Sequence, residues 1–280
     1  MPSPRPARLA LALLAGLAAP VAAAAQGGPV PLFTAICETT GAVPLELAVN
    51  GATTDRSSGA SMSAPLNTWL RAGRNQLRFR TPPGAKLAKG ASTTCEVIRS
   101  IPRKPPVETS LATFTWPPAG TKTPGRLDRT LELAVPAEDA PPCELWKRAE
   151  KLTLDRATRA AVLKKVGELE AALRTGDVKK VLELQRFSNE DWVRCNGKDL
   201  DEFRRWAPEQ TRAIVEVLKA KRFEGWDPAR AEVELVAGGR LAQVTVNGGP
   251  AIVVFGDAKD DRSTFAPFVA RLDGAFVLVR

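Results

Sequence analysis

The hydrophobic pattern of the chain changes its period once, at a proline-rich segment, and this change constrains the fold more than any other feature. Before residue 136 apolar residues alternate with polar ones, as in Leu45-Leu47-Val49. After residue 142 they recur at helical spacing, as in Val162, Val166, Leu169 and Leu173. Alternation is typical of half-buried strands, whereas the longer period is typical of amphipathic helices. We therefore predict one domain at residues 29–135, a linker at 136–142 and a second domain at 143–280.

The first domain has the pattern of an antiparallel β-sandwich. Segments such as Phe33-Ala35-Cys37 and Leu77-Phe79 put apolar residues on one face, and turn sequences such as Asn50-Gly51 separate them. Several short strands with turns between them predict two packed antiparallel sheets.

The second domain is predicted to be α+β, with helices first and a curved antiparallel sheet after residue 231. Gly176 suits the left-handed position after a helix, and Asp177 suits the cap of the next helix. Ser188 is predicted to cap a short turn through Trp192, and Pro208 to lie in the first turn of a later helix. The sheet has strands that are apolar on both faces, so one face is expected to pack against a second subunit or against the β-domain.

The first 25 residues have the three-part layout of a secretory signal peptide. Arg5 and Arg8 precede an apolar run at residues 9–19, and small residues at 22–25 offer a cleavage site. The apolar run is too short to cross a bilayer as a stable helix. We expect cleavage after Ala25, which removes 25 of the 280 residues and leaves 255 in the periplasm or outside the cell.

The four cysteines are expected to form disulfides, because export brings the chain into an oxidising compartment. Of the three possible pairings, Cys37–Cys95 and Cys143–Cys195 are favoured, since each bridge then stays on one side of residues 136–142. Each closes a loop long enough to stabilise the fold by about 4 kcal/mol through chain entropy. Zinc is a weaker explanation without a Cys-x-x-Cys pair or any histidine, so neither a metal nor a cofactor is expected.

The chain contains no histidine and no tyrosine. This composition excludes a Ser-His-Asp hydrolase, a His-ligated zinc enzyme and a haem protein with a proximal histidine. Carboxylates are the acid/base groups that remain, and Glu190 and Asp191 beside Trp192 are the candidate pocket pair. The alternative role for Asp191 is to help the Ser188 cap.

Positive charge is concentrated in the first domain. Residues 26–135 carry 13 Lys and Arg against 7 Asp and Glu, a net charge of +6, whereas residues 136–280 carry 25 against 24, a net charge of +1. The candidates for binding an anion are Arg71, Arg74, Arg78, Arg80, Lys86 and Lys89. They are expected either to attract an anionic polymer or membrane surface or to form an ordinary solvated strand face. Nucleic acid is not an expected partner, because aromatic residues are not interleaved with these cations.

Two resemblances accompany these patterns. The segments "LELAVNG" and "LNTWLRAGRNQLRFR" resemble the strand-turn-strand pattern of immunoglobulin-like and galactose-binding-like modules. The helix break in "AALRTGDVKKVLEL" and the terminal hairpin in "VARLDGAFVLVR" are similar to the nuclear transport factor 2-like fold over residues 144–280. That superfamily includes small-molecule isomerases and dehydratases, binding proteins and dimerisation modules. Many of its enzymes use His, Tyr and Asp in the pocket, and this chain lacks the first two.

These observations favour an exported, non-catalytic binding or assembly protein of a bacterial-type cell envelope. The alternatives are a nuclear transport factor 2-like enzyme that uses a pocket carboxylate, and a protein that binds polyanions or the envelope surface through the basic β-domain. Expected partners are an envelope protein, an anionic surface polymer, or a second copy bound through the C-terminal sheet.

Overall fold

The fold is mixed, with antiparallel sheets and helices. The structure is a computed structural model that describes residues 28–59, 61–121, 125–219, 222–224, 226–255 and 262–280. The predicted signal peptide lies outside the described residues. Within these ranges the strands form four sheets, and there are four α-helices.

Strands β1 to β8 form two four-stranded sheets with the orders β4-β1-β6-β7 and β3-β2-β5-β8, and every pairing is antiparallel. Their bounds are β1 Leu32–Thr40, β2 Leu45–Val49, β3 Ala52–Ser57, β4 Met62–Pro65, β5 Gly73–Arg80, β6 Ser92–Ile101, β7 Val107–Trp116 and β8 Asp128–Val135.

Alternation in the sequence selects the buried face of these strands, as predicted. In β1, Phe33, Ala35 and Cys37 are buried, and they share one core with the buried residues of the second sheet. Phe79 and Phe114 meet edge to face across the two sheets, with their ring centroids 5.2 Å apart. The eight strands therefore form two sheets around a common apolar core.

Four helices follow: α1 Glu144–Arg148, α2 Arg156–Thr175, α3 Val178–Cys195 and α4 Leu200–Lys219. The predicted break between α2 and α3 is confirmed. Gly176 ends α2 with a left-handed φ of 73°, and the Asp177 side chain accepts a hydrogen bond from the Lys180 N–H at 2.9 Å.

Two predicted helix starts are wrong. Ser188 does not cap a turn, because it lies inside α3 on the helix face that also carries Val181, Leu184, Asp191 and Cys195, all of them buried. Buried residues on this face lie both before and after Ser188 at regular helical spacing, so their packing extends the helix through Ser188.

Pro208 also lies inside a helix. Helix α4 begins earlier than predicted, where the Asp199 side chain accepts a hydrogen bond from the Glu202 N–H at 2.8 Å. Phe203 and Ala207 then pack with Val193 in a separate apolar cluster. Val215, after the exposed Pro208, packs in the core that contains α2, so α4 is held on both sides of Pro208, although proline normally ends or kinks a helix.

The remaining strands form two further antiparallel sheets. The third has the order β10-β11-β15-β16, with β12 also paired to β11, and the fourth has the order β14-β13-β9. Their bounds are β9 Arg222–Glu224, β10 Ala231–Val236, β11 Leu241–Val246, β12 Gly249–Pro250, β13 Ile252–Phe255, β14 Arg262–Phe265, β15 Phe268–Leu272 and β16 Ala275–Leu278.

The third sheet lies between the helices and the N-terminal strands. Val269 and Leu278 belong to the core shared with α2, whereas Phe268 and Ala270 belong to the core shared with the first two sheets. Phe268 meets Trp69 edge to face at 4.9 Å between centroids. One face of the C-terminal sheet is expected to pack against a second subunit or against the β-domain. In the structure, the N-terminal strands of the same chain cover that face of the third sheet.

The two disulfides are Cys37–Cys95 and Cys143–Cys195, the pairing expected from the sequence. The first links neighbouring strands β1 and β6, and the second links the start of α1 to the end of α3. Both fit an oxidising compartment. Among the described residues, no helix is both long enough and apolar enough to cross a membrane.

Candidate functional site

The basic candidates on β5 are matched by acids on the neighbouring strands. Arg78 binds Asp128 of β8 through two hydrogen bonds, of 2.7 and 2.5 Å. Arg80 donates to Glu46 of β2 at 2.8 Å. The hydrogen bond from Arg78 is the largest cause that lowers the pKa of Asp128 below its ordinary value. Arg78 lies on the exposed face of β5 and Arg80 at its half-buried end, but the charge of both is partly neutralised across the strands.

The other basic candidates occupy different parts of the first domain. Arg74 is exposed on β5, Lys86 and Lys89 are exposed in the loop between β5 and β6, and Arg71 lines a cleft described below. The acids that pair with Arg78 and Arg80 could not be predicted from the sequence, because cross-strand register depends on which strands become neighbours.

The candidate carboxylates on α3 have different surroundings. Glu190 forms ion pairs with Arg204 at 2.8 Å and with Arg194 at 3.6 Å, and its side chain is 21% exposed. Asp191 has no solvent exposure. Adjacent residues on a helix point about 100° apart, so the two carboxylates do not share a pocket.

Both oxygens of Asp191 have hydrogen-bond donors. Oδ1 accepts from the backbone N–H groups of Glu144 and Leu145 at 2.6 and 3.2 Å, and Oδ2 accepts from Nη2 of Arg280 at 3.0 Å. The first two donors belong to the free N–H groups at the start of α1. Asp191 thus joins α3, α1 and Arg280, the second residue after β16, and the Cys143–Cys195 bridge fixes α1 beside it.

Arg280 is the partner that sequence reasoning missed. Its Nη2 also donates to the Thr68 carbonyl at 2.9 Å, and its guanidinium carbon lies 5.7 Å from the centroid of the Trp69 ring. Burial lowers the pKa of Arg280, and the Asp191 carboxylate opposes that shift. A fully buried aspartate requires a cation or several donors, but the sequence does not show which arginine is adjacent.

Three possible metal-ligating side chains meet at this point. The ligand atoms of Cys143, Asp191 and Cys195 lie within 4.8 Å of one another. The two sulfurs are bonded to each other, so neither is the thiolate that zinc binds. The Asp191 oxygens already accept hydrogen bonds, and the arrangement serves as a structural tie.

A basic cleft lies beside α1, and its lining residues come from both halves of the chain. It has a volume of about 300 Å³. The residues that line it are Arg71, Ala72, Ala140, Pro141, Cys143, Trp146, Lys147 and Arg240. Arg71 and Ala72 follow β4, Trp146 and Lys147 belong to α1, and Arg240 precedes β11. The lining therefore combines three cations with an aromatic and aliphatic wall.

The backbone around the basic cleft is fixed by buried polar contacts. Asn75 is 1% exposed, accepts a hydrogen bond from the Arg71 N–H at 3.1 Å and donates to the Arg71 carbonyl at 2.8 Å. Nη1 of Arg240 donates to the Ala149 carbonyl.

Comparison of the chain with known proteins finds no matching family model, no matching curated protein and no matching solved structure.

Proposed function

We propose that the chain is an exported, non-catalytic binding or assembly protein of a bacterial-type cell envelope. The observation that carries this proposal is that Asp191 is buried and hydrogen-bonded within the chain. A general acid or base must reach a substrate proton, whereas Asp191 is fully buried and both of its oxygens accept hydrogen bonds within the chain. Glu190 is also engaged, in two ion pairs.

Export is supported by the two disulfides together with the sequence of residues 1–25. The two disulfides are of the kind that forms and persists in an oxidising compartment, and each adds stability by closing a long loop. We further propose the division into a β-sandwich at 29–135 and a nuclear transport factor 2-like domain at 143–280. The antiparallel third sheet with α2 packed on one face supports the second assignment.

Polyanion binding through β5 is the weaker candidate. Two of its three arginines form ion pairs with Asp128 and Glu46, which lowers the net positive charge of that face. Pairing of this kind is typical of a solvated strand surface.

The test is affinity capture from the envelope fraction with the mature protein as bait, paired with a metabolite turnover screen. We expect a reproducible protein partner and no turnover. Turnover that is abolished by Glu190→Gln would contradict a non-catalytic role, because that variant removes one exposed carboxylate and leaves the buried Asp191 contacts in place. Capture of the same proteins by a disulfide-reduced, unfolded bait would contradict specific binding.

A further inference from the structure

We propose that the basic cleft binds a small organic anion, with its carboxylate or phosphate group on Arg71, Lys147 and Arg240 and its apolar part against Trp146 and Pro141. This ligand site goes beyond the binding role proposed above and does not depend on the identity of a protein partner.

The positive charge of the lining favours an anion. Among the described residues the lining contains three cations and no acid. In the described part of the chain Arg71 has no ion-pair partner, and Arg240 donates only to the Ala149 carbonyl. Lys147 pairs with Glu144 at 2.9 Å, but its side chain is 64% exposed, so that pair is weak. A recess with unbalanced positive charge attracts anions, and guanidinium groups bind carboxylates and phosphates through paired hydrogen bonds.

The field around α1 is consistent with this charge. A hydrogen bond from Lys147 is the main cause that lowers the pKa of Glu144, and the charges of Arg194 and Arg148 lower it further. Arg148 pairs with Asp273 and Arg194 with Glu190, and neither lines the basic cleft, so its positive charge rests on Arg71, Lys147 and Arg240.

The binding groups of the basic cleft are held in place by the surrounding structure. Asn75 holds the backbone at Arg71, while Asp191 and the Cys143–Cys195 bridge hold α1, which carries Trp146 and Lys147. Binding groups that are already in place lose little freedom when a ligand arrives.

The size and the apolar wall of the basic cleft favour a small organic anion over an inorganic one. A volume of about 300 Å³ is at the lower end for small-molecule sites. Trp146, Pro141, Ala140 and Ala72 supply apolar surface that a bare inorganic anion would leave uncovered. An anion with a small aromatic or aliphatic body uses both parts of the lining.

Isothermal titration calorimetry with phenyl phosphate, benzoate, inorganic phosphate and benzyl alcohol tests the proposal. We expect saturable binding of phenyl phosphate or benzoate, with the tighter of the two identifying the anionic group. The double variant Arg71→Gln, Lys147→Gln is expected to weaken it at least tenfold. Higher salt is expected to weaken it as well.

The matched control is Arg74→Gln with Lys89→Gln, which removes one arginine and one lysine from exposed positions outside the basic cleft. It should change the dissociation constant less than twofold. Among the described residues, neither the Arg71 nor the Lys147 side chain forms a buried hydrogen bond or ion pair, so the double variant should keep the wild-type unfolding midpoint. A third variant, Arg240→Gln, should also weaken binding.

Four results would overturn the proposal. They are the absence of saturable binding by both aromatic anions, equal weakening by the control pair, binding of benzyl alcohol as tight as that of benzoate, and binding of inorganic phosphate as tight as that of phenyl phosphate. None of them bears on protein capture from the envelope, so this site and the proposed function fail separately.

Discussion

Nη2 of Arg280 lies 3.0 Å from Oδ2 of Asp191, and both side chains are buried. The pair connects α3 to the second residue after β16, next to the Cys143–Cys195 bridge and the Trp69 ring. Because both charges are removed from water, losing one partner destabilises the fold more than losing one partner of an exposed ion pair.

Asp191→Asn tests this dependence. Asparagine keeps an oxygen for the Glu144 and Leu145 N–H groups but leaves Arg280 buried without a counter-charge. We expect the free energy of unfolding to fall by about 3 to 5 kcal/mol, measured by urea denaturation with both disulfides intact. Glu190→Gln is the control, and it should cost less than about 1 kcal/mol because its ion pairs are exposed. Equal costs for the two variants would contradict a buried, dependent pair.

The contact between Trp69 and Phe268 predicts how the two halves of the chain unfold. These residues belong to one apolar core that includes the first, second and third sheets. We expect a single unfolding transition, with the same midpoint for near-UV and far-UV circular dichroism. Trp69→Ala should lower that midpoint for both signals, at a cost of about 3 to 5 kcal/mol.

Trp206→Ala is the matched control for Trp69→Ala. Trp206 makes the same kind of edge-to-face contact, with Phe203 at 4.9 Å, but within α4 and outside the large core. It should cost less than Trp69→Ala. Two separate transitions in the wild-type protein, with only one affected by Trp69→Ala, would show that the halves unfold independently.

The disulfides predict a specific peptide map and an unequal loss of stability. Digestion without reduction should release linked peptides for Cys37–Cys95 and Cys143–Cys195. The sequence separations of 58 and 52 residues are close, so replacing either pair by alanine should lose a similar entropic contribution of about 4 kcal/mol. Loss of Cys143–Cys195 should cost more, because it also frees the start of α1 from Asp191. Equal losses, or a Cys95–Cys143 peptide, would contradict this prediction.

Asp55 predicts a stability change that depends on pH. Burial raises the pKa of its carboxyl, although the side chain accepts a hydrogen bond from the Arg56 N–H. Since the folded pKa lies above the unfolded value of about 3.9, ionisation of Asp55 opposes folding at neutral pH. Asp55→Asn should therefore raise the free energy of unfolding at neutral pH. The gain should shrink as pH falls and vanish below the unfolded pKa.

Asp155 is the counterpart with the opposite sign. Its side chain accepts the Thr158 N–H at 2.7 Å at the start of α2, and this hydrogen bond lowers its pKa. The stabilisation is present above the unfolded pKa and is lost as pH falls through the folded pKa. Asp155→Asn should be destabilising at neutral pH and neutral in strong acid. Parallel pH profiles for the Asp55 and Asp155 variants would show that these carboxyls do not act as described.

Local features of the fold could be predicted from the sequence because they depend on near neighbours. The alternation in β1, the turn at Asn50-Gly51 and the helix end at Gly176 each follow from the residues at those positions. The predicted helix starts at Ser188 and Pro208 are wrong because tertiary packing extends α3 and α4 through these residues, although the local sequence favours a new helix start at each.

The candidate site could be predicted only in part. Asp191 stood out as an acid beside a tryptophan, but its partner Arg280 is 89 positions away in the sequence. The basic cleft joins Arg71, Trp146 and Arg240 from three separate segments. Contacts between such distant residues depend on how sheets and helices pack. The spacing of residues in a single sequence does not predict them.

The position of Trp69 has a consequence for the order of events during synthesis. Trp69 packs on Phe268 and beneath Arg280, so about two hundred further residues must be made before it acquires these neighbours. Until then the N-terminal strands keep an uncovered apolar surface. A chaperone that holds the nascent or translocating chain would find its natural binding target there, and it would be displaced when β15 and β16 arrive.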